Sequence, residues 1–434
     1  MDALARYFDL DRLGTTWKRE LLAGSTTFLT MAYIIFVNPS ILRDAGIPFN
    51  GVLQATCIAA AVGSILMGAF ARYPIALAPG MGLNAYFAYS VVKGMHVPWE
   101  TALGAVFISG ALMLLLTLLG IRKMIVSAIP PALYSAVAVG IGFFIAFIGF
   151  RNAGIIVSSP ATTVALGNLR EPSTLLALAG LLLIAALMAW GLRGAMVLGI
   201  LATTALGFAT GLIAWTPGVF TPADLSETAF HLDLAAAAKL GILEIVFVFL
   251  FVDVFDNVGT LVGVAKKAGL IAPDGDIPRI NRILTADATA TMVGASLGTS
   301  TVVSYIESAS GVVAGGRSGV TAIVAGILFL IATVAAPLAG VIPAFATAPA
   351  LILVGSMMIS HVSEIKWDDV TVGVPAFLTI LAIPLTFSIA NGLAIGFSAY
   401  TLLKILHGEF REVGWLMYVL TSLFLLRFWY LGGG

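Results

Sequence analysis

The chain is a series of long apolar runs separated by short polar segments. A run of about 20 apolar residues is long enough to cross a bilayer as a helix. Fourteen such spans are predicted, near residues 21–42, 52–71, 76–93, 101–119, 125–149, 173–192, 195–214, 237–265, 283–297, 304–315, 319–338, 343–361, 370–388 and 391–406. A last apolar run, Trp415 to Tyr430, is either an interfacial helix or a further span. The pattern therefore predicts an all-α integral membrane protein.

Two of these spans are interrupted. The third contains the stretch "APGMGLNAYFAYS", from Ala78 to Ser90, and the tenth begins with Gly-Thr-Ser-Thr, of strand-like composition, before turning helical near Ser304. Unwound backbone is tolerated inside a bilayer only where it is buried in protein or lines a cavity. Each break also creates a helix start with free N–H donors at mid-depth. Interrupted spans at matching positions in two halves indicate the substrate site of a transporter.

The second half of the chain resembles the first. Residues 101–120 and 321–340 both begin Thr-Ala and end in Gly, and an Ile-Pro pair follows each, at 129–130 and at 342–343. Seven spans separate the two copies, so they have opposite orientations in the membrane. This is the inverted-repeat plan of secondary transporters, here seven plus seven.

Asn84 and Glu307 lie just inside the two interrupted spans. An asparagine both donates and accepts hydrogen bonds and a carboxylate accepts them, so the pair can bind the edge of a planar heterocycle. Two structural alternatives stay open. Ser304 and Glu307 fit a capping box, and Asn84 can serve as a hydrogen bond between helices.

The eighth span is acidic. Asp253, Asp256 and Asn257 fall within an arc of about 100° on one helix face. Carboxylates inside a membrane are rare and usually functional. Asp287, in the ninth span, is expected to orient the site through hydrogen bonds rather than to bind substrate directly.

Charge sets the orientation of the chain. With the N-terminus in the cytoplasm, sixteen lysines and arginines fall on the cytoplasmic side and five outside, which predicts cytoplasmic termini at both ends. Hydrophobic residues make up 60% of the chain and charged residues 10%, so little protein lies outside the bilayer. Lys plus Arg and Asp plus Glu are both 22, and this zero net charge argues against a nucleic-acid partner.

The composition also limits the chemistry. The single cysteine, Cys57, excludes an internal disulfide and a cysteine-based metal site. All four histidines lie near span ends or in loops, so a proton-coupled protein would have to use a carboxylate. A carboxyl that is buried beside other acids can exchange a proton near neutral pH.

Several motifs together resemble a known family. They are "TMAYIIFVNPSIL", "FLFVDVFDNVGTLVGVAKKAGL" and "ASLGTSTVVSYIESASGVVAGGRSGVTA", and with the third span they are similar to the AzgA-like purine permeases. These permeases belong to the nucleobase–cation symporter superfamily, which also holds uracil and xanthine permeases. The resemblance implies fourteen helices in two inverted sevens (UraA-like). It also implies a core domain of residues 1–124 and 236–341, and a gate domain of residues 125–235 and 342–434.

The resemblance implies that substrate lies between spans 3, 8 and 10, in exchange with protons. The predicted substrate-binding residues are Asn84, Asp253, Glu307, Phe87 and Phe255. The predicted residues for proton coupling or support of the site are Asp256, Asn257, Asp287 and Thr299. Either phenylalanine can cover the face of a base, and Phe255 fits ordinary packing equally well.

The sequence thus predicts a proton-coupled importer of adenine, guanine and hypoxanthine in the cell membrane, with no metal and no cofactor besides the coupling proton. Its expected partners are the nucleobase and the lipid bilayer, and a homodimer is left open. An anion transporter of the same fold is the main alternative, although it would need a positive site. A membrane enzyme is a further alternative, but no nucleophile–base pair in the sequence supports it. The inverted, interrupted helices favour a transporter with alternating access over a channel.

Overall fold

The computed structural model describes residues 2–120, 129–214, 224–239, 243–271, 277–335 and 340–431. Within these residues, seven helices are long and apolar enough to cross a membrane, and four shorter helices are also apolar. The protein is therefore an all-α integral membrane protein, as predicted, and its described helices are compatible with fourteen spans.

Short strands and loops separate the helices along the chain. Up to residue 214 the elements are α1 (Asp2–Tyr7), α2 (Trp17–Met31), α3 (Ile34–Asp44), α4 (Phe49–Leu66), β1 (Leu77–Pro79), α5 (Met81–Ala85), α6 (Trp99–Leu118), α7 (Pro131–Asn152), β2 (Ile156–Ser159), β3 (Thr163–Leu166), α8 (Pro172–Ala189) and α9 (Ala195–Ala209). After residue 223 they are α10 (Leu234–Ala237), α11 (Leu243–Ala268), α12 (Ile280–Leu297), β4 (Val302–Ser304), α13 (Ser308–Val313), α14 (Gly319–Ala332), α15 (Ala344–Met358), α16 (Val370–Leu385), α17 (Ile389–Leu406) and α18 (Trp415–Leu431).

The chain divides into two compact units. One contains residues 1–118 and 149–351, and the other contains residues 119–148 and 352–434. Every residue predicted for the site belongs to the first unit. Polar pairs join helices in the second unit, where Ser135 donates a hydrogen bond to Glu364 (2.6 Å). The predicted assignment of core and gate domains stays a prediction.

The two predicted breaks pair with each other. β1 and β4 form an antiparallel two-stranded sheet in which Ala78 lies opposite Val303. The Gly80 amide donates to the Thr301 carbonyl (2.9 Å) and extends the pairing at one end. Backbone freed from a helix inside a bilayer must find such partners, because no water is present to replace them. Each half of the chain therefore satisfies the break of the other.

The outer edge of each strand is closed by a hydroxyl from the preceding span. The Ser64 hydroxyl accepts from the Leu77 amide (2.9 Å) and donates to the Leu77 carbonyl (3.1 Å). In the second half, the Thr291 hydroxyl accepts from the Val302 amide (3.2 Å) and donates to the Val302 carbonyl (2.9 Å). The same arrangement thus occurs in both halves, on α4 and on α12, as the inverted repeat leads one to expect.

The local backbone departs from the regular α-helix at several points near the breaks. Gly298 ends α12 with a φ of +102°, a left-handed conformation that suits glycine. After the short helix α5, residues 86–94 continue as a π-helix. The breaks predicted in spans 3 and 10 are confirmed. The first span is interrupted as well, between Met31 and Ile34, where a single helix was predicted.

Thr291→Val should destabilise the protein by about 1–3 kcal/mol, because the isosteric change leaves the Val302 N–H and C=O buried without a partner. The measurement is thermal unfolding of the purified protein in detergent. Thr203→Val is the matched control, because the equally buried Thr203 hydroxyl donates only to Gly199 in its own helix. Equal effects of the two substitutions would contradict a special role of Thr291 at the strand edge.

Candidate functional site

Asn257 connects three elements of the site. Its side-chain nitrogen lies 2.9 Å from Asp253 Oδ1 and 2.7 Å from Asp287 Oδ2, and it donates to both carboxylates. Its side-chain oxygen accepts from the Ser304 amide (2.9 Å) at the end of β4. One amide therefore ties α11, α12 and the tenth-span break together. Asp287 accepts a hydrogen bond from Asn257, and its predicted role in orienting the site stays a prediction.

The two acids that contact Asn257 are deeply buried. Asp253 is 2% exposed and Asp287 is 0% exposed. Two ionised carboxylates around one amide would place two negative charges in a site of low dielectric constant, which is costly without counter-charges.

Asn84 lies on α5, directly after the break in the third span, and is 0% exposed. Its side-chain oxygen accepts a hydrogen bond from the Ser300 hydroxyl in the tenth-span break. The two breaks are thus joined by side chains as well as by backbone. This contact gives Asn84 an inter-segment hydrogen bond, but that bond occupies only the oxygen of the amide.

Three buried polar atoms at the two breaks have no hydrogen-bond partner among the described residues. They are Asn84 Nδ2, Thr301 Oγ1 and Ser304 Oγ. Their residues are at most 3% exposed. Buried polar groups in proteins are almost always hydrogen-bonded, so each of these atoms can take a water or a polar ligand group as its partner.

Glu307 immediately precedes α13, but its side chain makes no capping hydrogen bond. Ser304 belongs to β4, and its amide bonds to Asn257, so the two residues do not form the capping box that the spacing allowed. Glu307 Oε1 instead accepts from the Tyr33 hydroxyl (2.7 Å), on the interrupted first span. Sequence analysis missed Tyr33, because it lies within an apolar run.

Thr299 is also joined to the first span. Asn38, on α3, donates from its side-chain nitrogen to Thr299 Oγ1 (2.9 Å) and to Thr56 Oγ1 (2.7 Å). All three residues are fully buried. Asn38 directly precedes Pro39 in the first span, and this polar residue before a proline in an apolar run is a signal in the sequence.

Glu20 is a further buried acid that sequence analysis missed. Its carboxylate is 0% exposed and accepts hydrogen bonds from the Ser318 and Thr321 amides and from the Thr321 hydroxyl (2.6 Å). The Arg317 amide also donates to it (2.9 Å). Glu20 therefore fixes the start of α14 to α2 and acts as a structural residue.

Phe87 and Phe255 are the two aromatic residues that are predicted to contact substrate. Phe87 is fully buried and lies 6.3 Å from the Phe249 ring, centroid to centroid, so it packs against α11. Its contact with a substrate stays a prediction. Phe255 and Asp256 lie on α11, but their side chains fall outside the described residues.

The chemistry available at the site is hydrogen bonding by neutral amides and hydroxyls next to buried carboxylates. Among the described residues, no group of three or more His, Cys, Asp or Glu side chains could hold a metal ion. Such a site suits a small, planar molecule whose edge both donates and accepts hydrogen bonds.

Comparison with known proteins identifies the family. Residues 18–420 match the family model described as Permease family (Xan_ur_permease). The chain belongs to this permease family. It is a membrane permease and not an enzyme.

Relatives of this permease match it along almost its whole length. It is 53% identical over 434 residues to the "Putative permease MJ0326" of Methanocaldococcus jannaschii, covering 100% of both chains. It is 44% identical to "Adenine permease AdeP" of Escherichia coli, covering 98% of this chain and 95% of the relative. It is 45% identical to "Guanine/hypoxanthine permease PbuG" of Bacillus subtilis, covering 98% and 99%.

Solved structures share the fold of the permease at low sequence identity. The transmembrane domain of the cyanobacterial bicarbonate transporter BicA matches with a TM-score of 0.67 at 15% identity, covering 86% of this chain and 97% of that chain. The murine Slc26a9 anion transporter in its inward-facing state matches with a TM-score of 0.64 at 12% identity, covering 90% and 69%. These likenesses concern the fold alone.

Gly311→Ala should destabilise the permease by about 1–3 kcal/mol, because the added methyl would lie 2.7 Å from the Ala23 carbonyl oxygen and force α13 away from α2. The measurement is the apparent melting temperature in detergent. Gly263→Ala is the matched control on α11, where the methyl would make an ordinary 3.6 Å contact with Ile306. A Gly311→Ala protein as stable as the control would show that α13 and α2 do not pack this closely.

Proposed function

We propose that the permease imports the purine nucleobases adenine, guanine and hypoxanthine by proton symport across the cell membrane. The observation that carries this proposal is the set of buried polar atoms at the paired breaks, Asn84 Nδ2, Thr301 Oγ1 and Ser304 Oγ. Relatives named as adenine permease and as guanine/hypoxanthine permease, each more than 40% identical, support the choice of substrate.

A neutral purine presents ring N–H or amino donors next to ring nitrogen or carbonyl acceptors. Glu307 can accept from a donor on this edge, and Asn84 Nδ2 can donate to a neighbouring acceptor. Asp253 serves as a second acceptor for ring or amino hydrogens, and Phe87 or Phe255 covers the face of the base. A purine that satisfies these atoms replaces the hydrogen bonds that it loses on leaving water.

A carboxylate carries the coupling proton. Asp253 and Asp287 accept hydrogen bonds from the same Asn257 amide, and both are almost fully buried, which supports a proton on one of these two carboxylates. Asp256 lies one helical turn from Asp253 and is proposed to take part. Loss of the proton to the cytoplasm would leave uncompensated charge in the site, which favours release of the base.

Transport proceeds by an elevator-like displacement of the core domain against the gate domain. The core carries the paired breaks, and its parts are held together by the β1–β4 pairing and by Asn257. These bonds support movement of the site as one block. In this proposal, both termini of the chain lie in the cytoplasm.

Anion transport is the weaker candidate, although the bicarbonate transporter and Slc26a9 share the fold. Asp253, Asp287 and Glu307 all belong to the hydrogen-bonded network around the breaks. An anion would meet these acids, and like charges in a buried site repel strongly. A neutral base has no such cost.

The proposed function is tested by uptake of radiolabelled hypoxanthine and adenine into cells that lack their own purine permeases, with a competition panel of bases and anions. Purines should compete, and bicarbonate and sulfate should not. Asn84→Ala should raise the apparent KM by about tenfold, the cost of about 1.4 kcal/mol. Glu307→Gln should abolish or greatly weaken uptake.

Glu100→Gln, the same change at the start of α6 and outside the site, is the control for Glu307→Gln and should transport normally. The amount of each variant in the membrane is measured alongside. No purine uptake by the well-expressed unmodified protein would exclude the proposed function. Normal uptake by Glu307→Gln would exclude Glu307 from the binding site.

Proton coupling has its own test. Uptake should rise as the outside pH falls from about 8 to 6, because a carboxylate must be protonated from outside before the site moves, and a protonophore should stop accumulation. Asp256→Asn and Asp287→Asn should each lose accumulation but keep exchange of base for base, because asparagine preserves shape and removes titration. Sodium-dependent uptake that ignores the protonophore would contradict proton symport.

A further inference from the structure

The first span is interrupted, and the proposed function assigns no role to this interruption. α2 ends at Met31 and α3 begins at Ile34, and Tyr33 lies between them. The Thr30 hydroxyl donates back to the carbonyls of Thr26 (3.2 Å) and Thr27 (2.9 Å), an interaction that often bends helices. Tyr33 lies in the turn between the two helices, and its side chain is 1% exposed.

The Tyr33 hydroxyl reaches across to the tenth-span break and donates to Glu307 Oε1 (2.7 Å). Since the Glu307 side chain does not cap α13, the helix that it precedes does not determine its direction. A hydrogen bond to a carboxylate is stronger than one between neutral groups. The phenol engages one carboxylate oxygen and so restricts the orientation of the carboxylate.

The helix that precedes Tyr33, α2, is closely packed against the helix that follows Glu307, α13. At Gly311 of α13, an added methyl would clash with the Thr27 hydroxyl and lie 2.7 Å from the Ala23 carbonyl on α2. The Glu20 carboxylate also fixes the start of α14 to the start of α2. These contacts hold the segment before Tyr33 close to the segment after Glu307.

We propose that Tyr33 is a positioning residue that orients the Glu307 carboxylate for substrate before substrate arrives. The identity of that substrate rests on the proposed function. A carboxylate that is already oriented loses less conformational freedom on binding, so removal of the phenol hydroxyl weakens binding without removal of any group that touches the base.

Tyr33→Phe removes only the hydroxyl. It should raise the apparent KM for hypoxanthine about tenfold, because one charge-assisted hydrogen bond is lost, while the maximal rate per molecule stays within about twofold. Tyr73→Phe is the matched control, because the buried Tyr73 hydroxyl donates to the Pro278 carbonyl (2.8 Å) instead of to the site. The control should keep the KM of the unmodified protein.

A double substitution tests whether Tyr33 acts through Glu307. Affinity for hypoxanthine is measured by calorimetry on purified protein, at concentrations high enough to detect weak binding. Tyr33→Phe should add no further loss once Glu307→Gln is present. Losses that simply multiply would overturn the proposal, as would a Tyr33→Phe protein with unchanged KM.

A measurement without substrate separates this proposal from the proposed function. The infrared carboxylate band that disappears in Glu307→Gln should shift in Tyr33→Phe and stay unchanged in Tyr73→Phe. If the unmodified protein transports no purine, the proposed function fails, but this shift would still support the positioning of Glu307 by Tyr33. An unshifted band would overturn the positioning role whatever the substrate is.

Discussion

Backbone that leaves a helix inside a bilayer has no water to bond, and the structure depends on how this chain meets that constraint. The break in the third span pairs with the break in the tenth, through β1 and β4. Ser64 and Thr291 then close the outer edges of the two strands from the preceding spans. The two strands and these two hydroxyls come from both halves of the chain. Each break therefore depends on backbone partners in the other.

The site follows from this pairing. Asn84 follows β1 and Glu307 follows β4, so the pairing fixes both residues relative to the two breaks, although they come from opposite halves of the sequence. Asn257 then joins β4 to Asp253 and Asp287, so the acids are fixed relative to the breaks. Backbone satisfaction and side-chain placement are thus two results of one arrangement, and a change in either alters both.

The sequence predicted those parts of the fold that have strong local signals. Long apolar runs predicted the spans, and Pro and Gly in the third span predicted its break. A carboxamide and three carboxylates in apolar surroundings, at positions 84, 253, 287 and 307, stood out because burial of such groups is costly. Asn257 was predicted to support the site; it bonds to Asp253 and Asp287, and its role in transport stays a prediction.

Other features lay beyond sequence analysis for physical reasons. Tyr33 falls in a continuous apolar run, and the turn that contains it follows Thr30, whose hydroxyl bonds back to helical carbonyls as threonines in helices commonly do. Ser64 and Thr291 look like ordinary helical residues, because a helical hydroxyl usually bonds within its own turn. Their partners lie on strands whose pairing joins residues more than 200 positions apart. No local pattern reports such a contact.

An experimental structure of the protein with hypoxanthine or adenine bound would show whether the paired breaks form the substrate site. We expect the base between the third, eighth and tenth spans, with its edge within hydrogen-bond distance of the Glu307 carboxylate and the Asn84 amide nitrogen, and with β1 and β4 still paired. A base bound elsewhere, or bound at this place without contact to either residue, would contradict a purine site at the breaks.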